Sequence, residues 1–491
     1  MLSHLPILQV ILPLLGAPAC LILGRGKIAW LFALLVSALS FCIAAMLLHT
    51  VYHQGVISYA LGGWQAPWGI EYRIDLLNAW LLLIVSGSST VALLAAQSSI
   101  NVEIAPEKQT IFFVAWLLCL AGLLGILATG DAFNVFVFLE VSSLSTYTLI
   151  SLGPHRQSLW AAFRYLIMGT IGATFILIGI GLMYIMTGTL NMQDLAQRLP
   201  LASDSSTVFT AYAFILVGIS LKLALFPLHL WLPNAYNHAP SIVTTFLAAS
   251  ATKVALYLLI RFTYTVFPSH FSQIDIPLEE IFIVLGITGV LSASVAAIYQ
   301  ADVKRAIAYS SVAQIGYMVV GLGIGGVLGL QATLLHVFNH ALMKATLFMA
   351  LAAIACRIGV TTLTSMQGLG RKMPWTSFGF VVGGLSLIGV PLTAGFISKW
   401  YLVSAAALSG RWGLVVLIMV GSLLAIVYIW RVVEALYFKP AADSTPIKEA
   451  PLAMLLALWL LVFANVYFGI DTRLPVSISA EAATALQEGR P

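Results

Sequence analysis

About fourteen apolar runs, each near the ~20 residues that a helix needs to cross a bilayer, follow one another along the chain with only short polar turns between them. Nothing else in the sequence limits the fold so strongly. Backbone groups in lipid must be satisfied internally, and a helix does this within one segment. The runs cover roughly 5–24, 28–49, 75–98, 109–128, 131–152, 160–186, 206–232, 240–266, 278–299, 303–325, 328–358, 375–401, 412–438 and 450–470. The expected fold is an all-α integral membrane protein with about 14 transmembrane helices in a single membrane domain, residues 1–491. Charged residues make up 8% of the chain, against roughly 25% in soluble domains. No water-soluble fold of this length covers its surface with so few.

The loops narrow the function further. The longest, around Val56 to Arg73, reads as a small surface hairpin, and Asn191 to Leu199 as a short interfacial helix. None can house a soluble catalytic domain. The net charge of +5 is scattered through short turns and is no nucleic-acid footprint. The first run has no Lys or Arg before it, so it is expected to be a retained membrane helix and not a cleaved signal. Thirteen loop cations fall on one face, Arg25 and Arg357 among them, and six on the other, including Arg490. Basic residues favour the cytoplasmic side, so both termini are expected on the outer side of a bacterial inner membrane.

Spans 4–8 (109–266) and 9–13 (278–438) form two sets of five. An odd number of crossings inverts the second set, so two inverted five-helix repeats are expected. The fourth span of each carries a proline with a lysine nearby: Lys222 before Pro227, and Pro391 before Lys399. Proline opens a helix, which predicts two broken helices.

An ionised group at the bilayer centre costs about 2.5–3.5 kcal/mol on insertion scales. This chain places several there: Glu140, Lys222, Lys253, His336, His340, Lys344 and, toward the end of its run, Lys399. Snorkelling to the interface is the alternative for Lys399. His336, His340 and Lys344 are spaced four apart and share one helix face. They form a ladder rising about 12 Å. Short steps between protonatable groups are what a proton relay needs. Glu140 is the one acid deep in a span, and pairing it with Lys222 would keep both ionised. His229 and His238 flank a turn and are candidates for a proton entrance, though interfacial histidines are ordinary. Asp131 reads as an N-cap.

Cys20, Cys42, Cys119 and Cys356 are far apart and lack metal-ligand spacing. Gly321–Gly326 lies between two apolar spans and is no nucleotide loop. No catalytic site, metal or cofactor is expected.

At these positions the sequence resembles the antiporter-like subunits shared by respiratory complex I, membrane-bound hydrogenases and the multisubunit Mrp cation/proton antiporters. The motifs are GDAFNVFVFLE around Glu140, LKLALFPLHLWLPNAYNHAPS from Leu221, ADVKRAIAYSSVAQIGYM from Ala301 and HVFNHALMKATLFM from His336. The resemblance spans about residues 75–438 and is most similar to the D-type branch of the Mrp antiporters. Ser142, Ser143 and Ser145 depart from that branch, where more apolar residues are expected. The resemblance implies that Glu140 and Lys222 form a gating ion pair. It implies that Lys253, His340 and Lys344 are central relays and that Lys399 is the terminal proton group. It also implies a proton-translocating subunit of a multisubunit monovalent cation (sodium)/proton antiporter, with other membrane subunits as partners. The alternative is a proton-pumping subunit of a complex I or membrane-bound hydrogenase assembly.

Overall fold

The computed structural model describes residues 4–24, 26–202, 205–267, 277–441 and 446–489. Arg25 and Arg490, counted above among the loop cations, lie outside them. The chain is a helical, multi-pass membrane protein. Thirteen of its described helices are long and apolar enough to cross a bilayer.

The first half holds α1 (Leu5–Leu23), α2 (Lys27–Gln54), α3 (Leu76–Glu103), α4 (Gln109–Ala128), α5 (Ala132–Ser151), α6 (Arg156–Thr187), α7 (Met192–Arg198), α8 (Ser206–Leu223), α9 (Trp231–His238) and α10 (Ser241–Arg261). The second half holds α11 (Leu278–Ile298), α12 (Val303–Ile324), α13 (Gly326–Ile358), α14 (Leu369–Lys372), α15 (Pro374–Ile388), α16 (Ala394–Leu408), α17 (Trp412–Val433), α18 (Leu452–Ile470) and α19 (Arg473–Gln487). The 56–73 loop contains the expected hairpin, with β1 (Ile57–Ala60) antiparallel to β2 (Glu71–Ile74) and Ile57 opposite Ile74. The expected interfacial helix is α7.

Both broken spans are present. α8 stops at Leu223, and Ala224 takes a left-handed turn (φ 58°) that starts a non-helical link to the half-helix α9. The twelfth expected span, 375–401, is split into α15 and α16, with Gly389 (φ 90°) and Leu392 (φ 70°) in the break. Non-helical backbone at membrane depth survives only where protein or water covers it, and here protein does. Trp231 Nε1 donates to the Leu221 carbonyl at the first break (2.9 Å). Asn339 Nδ2 donates to Ala394 O beside the second (2.6 Å).

Two aspartates start spans in the same way. Asp131 caps α5 by accepting from Asn134 N (2.7 Å), and Asp302 caps α12 by accepting from Lys304 N (2.9 Å). Each cap also sits in a two-bond bridge to the loop after the next span. Ala132 N donates to Leu190 O and Met192 N to Gly130 O, both at 2.8 Å. Val303 N donates to Thr361 O (2.8 Å) and Leu363 N to Ala301 O (3.0 Å). The two bridges, Asp131 to Asn191 and Asp302 to Thr362, enclose segments of equal length. α10 and α17 each run into a π-helical turn, Phe262–Val266 and Glu434–Phe438.

α10 and α12 are almost wholly enclosed by other helices. α13 lies between them and α16, and also packs on α3, α15, α18 and α19. The ladder helix is thus central. α19 is an addition to the expected spans. It buries Pro475, Ile478, Ala482 and Leu486, a helical spacing that small and polar neighbours hide from a hydropathy count.

One charge pair at a span end is structural. Arg261 Nη2 meets Asp75 Oδ2 at 2.6 Å, both side chains nearly dry. Asp75 also caps α3 through Asn78, and Arg261 Nε donates to Tyr257 OH (3.2 Å). Removing one partner of a buried pair strands the other, at about 3–5 kcal/mol. Arg261→Met is therefore expected to lower the thermal unfolding midpoint of the detergent-solubilised protein sharply, and an unchanged midpoint would contradict this role.

Candidate functional site

Helix packing explains which of the deep ionisable groups come together. α8 packs on α6 and α10, α10 on α13, and α13 on α16. Lys222 is on α8, Lys253 on α10, the ladder on α13 and Lys399 on α16. All four lysines are buried, as are His336 and His340. None of them lies exposed on the surface of the chain.

The expected contact between Glu140 and Lys222 is not made. Lys222 Nζ donates to Ser143 Oγ instead (2.8 Å), one helical turn beyond Glu140 on α5. Glu140 lies half-buried, with Oε1 enclosed and without a hydrogen-bond partner. The physical reason is reach. Ser143 stands on the same helix as the acid and meets the ammonium first. The two charges still act on each other electrostatically. A cavity of about 40 Å³ adjoins this point, lined by Ser142, Ser143, Thr146, Tyr165 and Lys222 among others. It has room for water.

Further along, Lys253 donates to the Ala248 carbonyl of its own helix. It lies close enough to His336, His340 and Lys344 to act on each electrostatically. The ladder holds the expected face. The His336 and His340 rings are parallel, with centroids 6.1 Å apart. Lys344 Nζ donates to Ile307 O (2.9 Å) and Ser310 Oγ (2.5 Å) on α12. Both ring nitrogens of His340 are buried without a protein partner. His336 bonds Gln314 Oε1 (3.0 Å) and Ser398 Oγ (2.8 Å).

Lys399 follows Ser398 on α16. That side chain does not snorkel. Its ammonium donates to Leu387 O and Ile388 O (both 2.9 Å), carbonyls freed by the helix break, and to Ser422 Oγ on α17 (3.1 Å). The broken helix supplies acceptors that an intact one would have used internally.

Among the described residues, none of the four lysines forms an ion pair. Placing all of them charged at depth is costly, so neutral states must be accessible. Each meets a serine, a backbone carbonyl or both. Serine can donate and accept at once, and so can pass a proton on.

His229 and His238 are separated by the half-helix α9. His229 is buried in the break, its ring 5.3 Å from that of Phe226. His238 ends α9 and lines a cleft of about 450 Å³ with Glu103, Ser241, Asp302 and Lys304. Lys304, one of the thirteen cations counted on the basic-rich face, is buried, with Nζ donating to Ala239 O (2.7 Å). Ser143 stands out in sequence only as a departure from the D-type branch, and the small partners Ser310, Gln314, Ser398 and Ser422 are missed. The one available signal is Ser310 and Gln314, four apart inside an apolar span. No group of His, Cys, Asp and Glu side chains among the described residues is placed to hold a metal ion.

Residues 129–425, which carry nearly every group described above, match the family described as NADH:quinone oxidoreductase/Mrp antiporter, transmembrane. The chain is 43% identical to the N-type subunit of the NADH-quinone oxidoreductase of Desulforudis audaxviator over 92% of its own length and 90% of the relative's. It is 34% identical to the D-type subunit of the Na(+)/H(+) antiporter of Alkalihalophilus pseudofirmus, over 73% of this chain and 71% of that one. A chain in the solved Mrp complex from Dietzia sp. DQ12-45-1b superposes with a TM-score of 0.90 at 24% identity, covering 99% of this chain and 98% of that one, and so shares the fold. The chain belongs to the NADH:quinone oxidoreductase/Mrp antiporter transmembrane family.

Proposed function

We propose that the chain is the proton-translocating subunit of an Mrp-type multisubunit sodium/proton antiporter in a bacterial inner membrane. The observation that carries this reading is the buried file itself. It runs through Glu140, Ser143 and Lys222, and through Lys253, Lys344, His340, His336, Ser398 and Lys399. Protons enter as the ionic species that lysine and histidine can pass along. His340, whose nitrogens lack protein partners, marks a stretch bridged by water. His238 and its cleft are the entrance, and His229 lies deeper in the break.

The two halves, 109–266 and 278–438, act as inverted repeats. Three pairs of features support this: the broken crossings, the aspartate bridges of equal length and the π turns that end α10 and α17. The basic-rich face is cytoplasmic and both termini face outward. A hard cation such as sodium prefers several oxygen ligands. One deep carboxylate is too few, so sodium passes through partner subunits.

A second reading has one specific observation in its favour, the 43% identity to a quinone oxidoreductase subunit. On that reading the same file moves protons, but redox chemistry in other subunits drives it. Expressing the complete operon in a sodium-sensitive strain separates the two. Restored growth in sodium, with cation-dependent proton movement in inverted vesicles, is expected. Proton movement that requires quinone reduction and ignores sodium would select the redox-driven assembly.

A further inference from the structure

The ladder helix α13 ends beside a cleft that the proton file does not use. Its volume is about 620 Å³, and its lining includes Arg357, Lys372 and Lys448 with the apolar Ile358, Leu369 and Ile447. Among the described residues no acidic side chain lines it. Glu449 follows Lys448 in sequence, but its carboxylate is engaged elsewhere. Oε1 accepts from Thr376 Oγ1 (2.6 Å), and Oε2 accepts from Trp375 N (3.0 Å). The Glu449 carbonyl accepts from Arg357 Nε (2.9 Å) and Nη2 (2.6 Å), which fixes the guanidinium against the loop. A guanidinium has five N–H donors, so several remain for a ligand. Lys448 is exposed.

Position decides what that ligand is. Trp375 is exposed at the start of α15, and an exposed tryptophan at a span end sits at headgroup level. Basic pockets between spans at that level take anionic headgroups. A free phosphate would satisfy the cations but leave the exposed Val360 and the half-buried Ile358 and Ile447 facing water. A phospholipid covers both parts of the lining.

We propose that this cleft binds the phosphate of an anionic phospholipid, gripped by Arg357 and Lys448, with its acyl chains on the apolar wall. The bound lipid secures the base of the helix that carries His336, His340 and Lys344. The site does not depend on which ion the file moves.

The test uses the detergent-solubilised full chain, with lipid retention read by native mass spectrometry and the unfolding midpoint measured in parallel. Phosphatidylglycerol should be held at least about tenfold more tightly than phosphatidylcholine, and should raise the midpoint. Arg357→Gln with Lys448→Gln should remove that preference. Lys448→Gln alone alters only an exposed side chain, so it should fold normally and still weaken retention several-fold. Arg431→Gln, a charge change outside the cleft lining, should leave the preference intact. Equal retention of the two lipids, a preference that survives the double substitution, or displacement by inorganic phosphate would overturn the proposal.

Discussion

Glu140→Gln is expected to cut coupled proton movement on the order of 100-fold, the range by which a positioned proton-transfer group speeds such a step. The measurement is proton flux in vesicles carrying the complete assembly, with immunodetection to show that the protein still reaches the membrane. The amide has nearly the shape of the acid but cannot release a proton or hold charge. Its effect should therefore be functional, since Oε1 has no protein hydrogen bond to lose. Ser143→Ala gives the companion result. Lys222 would lose its serine partner while Glu140 keeps its charge, so a partial loss is expected. If Glu140→Gln transports normally, the first half of the file is not the route.

Lys344→Met should be as damaging to transport, again on the order of 100-fold, with the opposite signature in stability. Lys344 is fully buried, with a carbonyl and a serine as partners and no carboxylate. Methionine has a similar shape and carries no charge to desolvate, and such replacements are often neutral or stabilising. The unfolding midpoint should hold or rise while proton flux collapses. A purely structural lysine would show the reverse, a lower midpoint and lost protein. Lys344→Arg separates the two further. It keeps a cation, but arginine does not deprotonate in proteins, so flux should remain low.

Much of this site could be read from the sequence because lipid makes charge conspicuous. Lys222, Lys253, His336, His340, Lys344 and Glu140 stand out in apolar runs, and a four-residue spacing is enough to put the ladder on one face. The prolines mark both breaks because proline removes a backbone hydrogen bond. Pairings are harder. Whether Lys222 meets Glu140 or Ser143 depends on how α5 lies against α8, which no spacing encodes. The serines are hidden by their ordinariness. Serine is common in membrane helices and often bonds back to its own helix, as Ser145 does to Val141 O (2.7 Å). Ser398 and Ser422 look no different in sequence. Arg261 and Lys304 mislead in another way. Each stands near a span end, where a cation normally reaches water, yet tertiary packing buries both.

Lys399 carries a further consequence. An ammonium has three hydrogens, and all three have acceptors here: two carbonyls at the broken helix and Ser422. A neutral amine has only two. When the proton departs, either one carbonyl of the α15 end goes unmet, or Ser422 rotates to donate into the nitrogen lone pair. If Lys399 passes a proton as proposed, its titration would rewire the joint between α15, α16 and α17. On that reading, protonation is a mechanical coordinate of the helix pair as well as a store of charge.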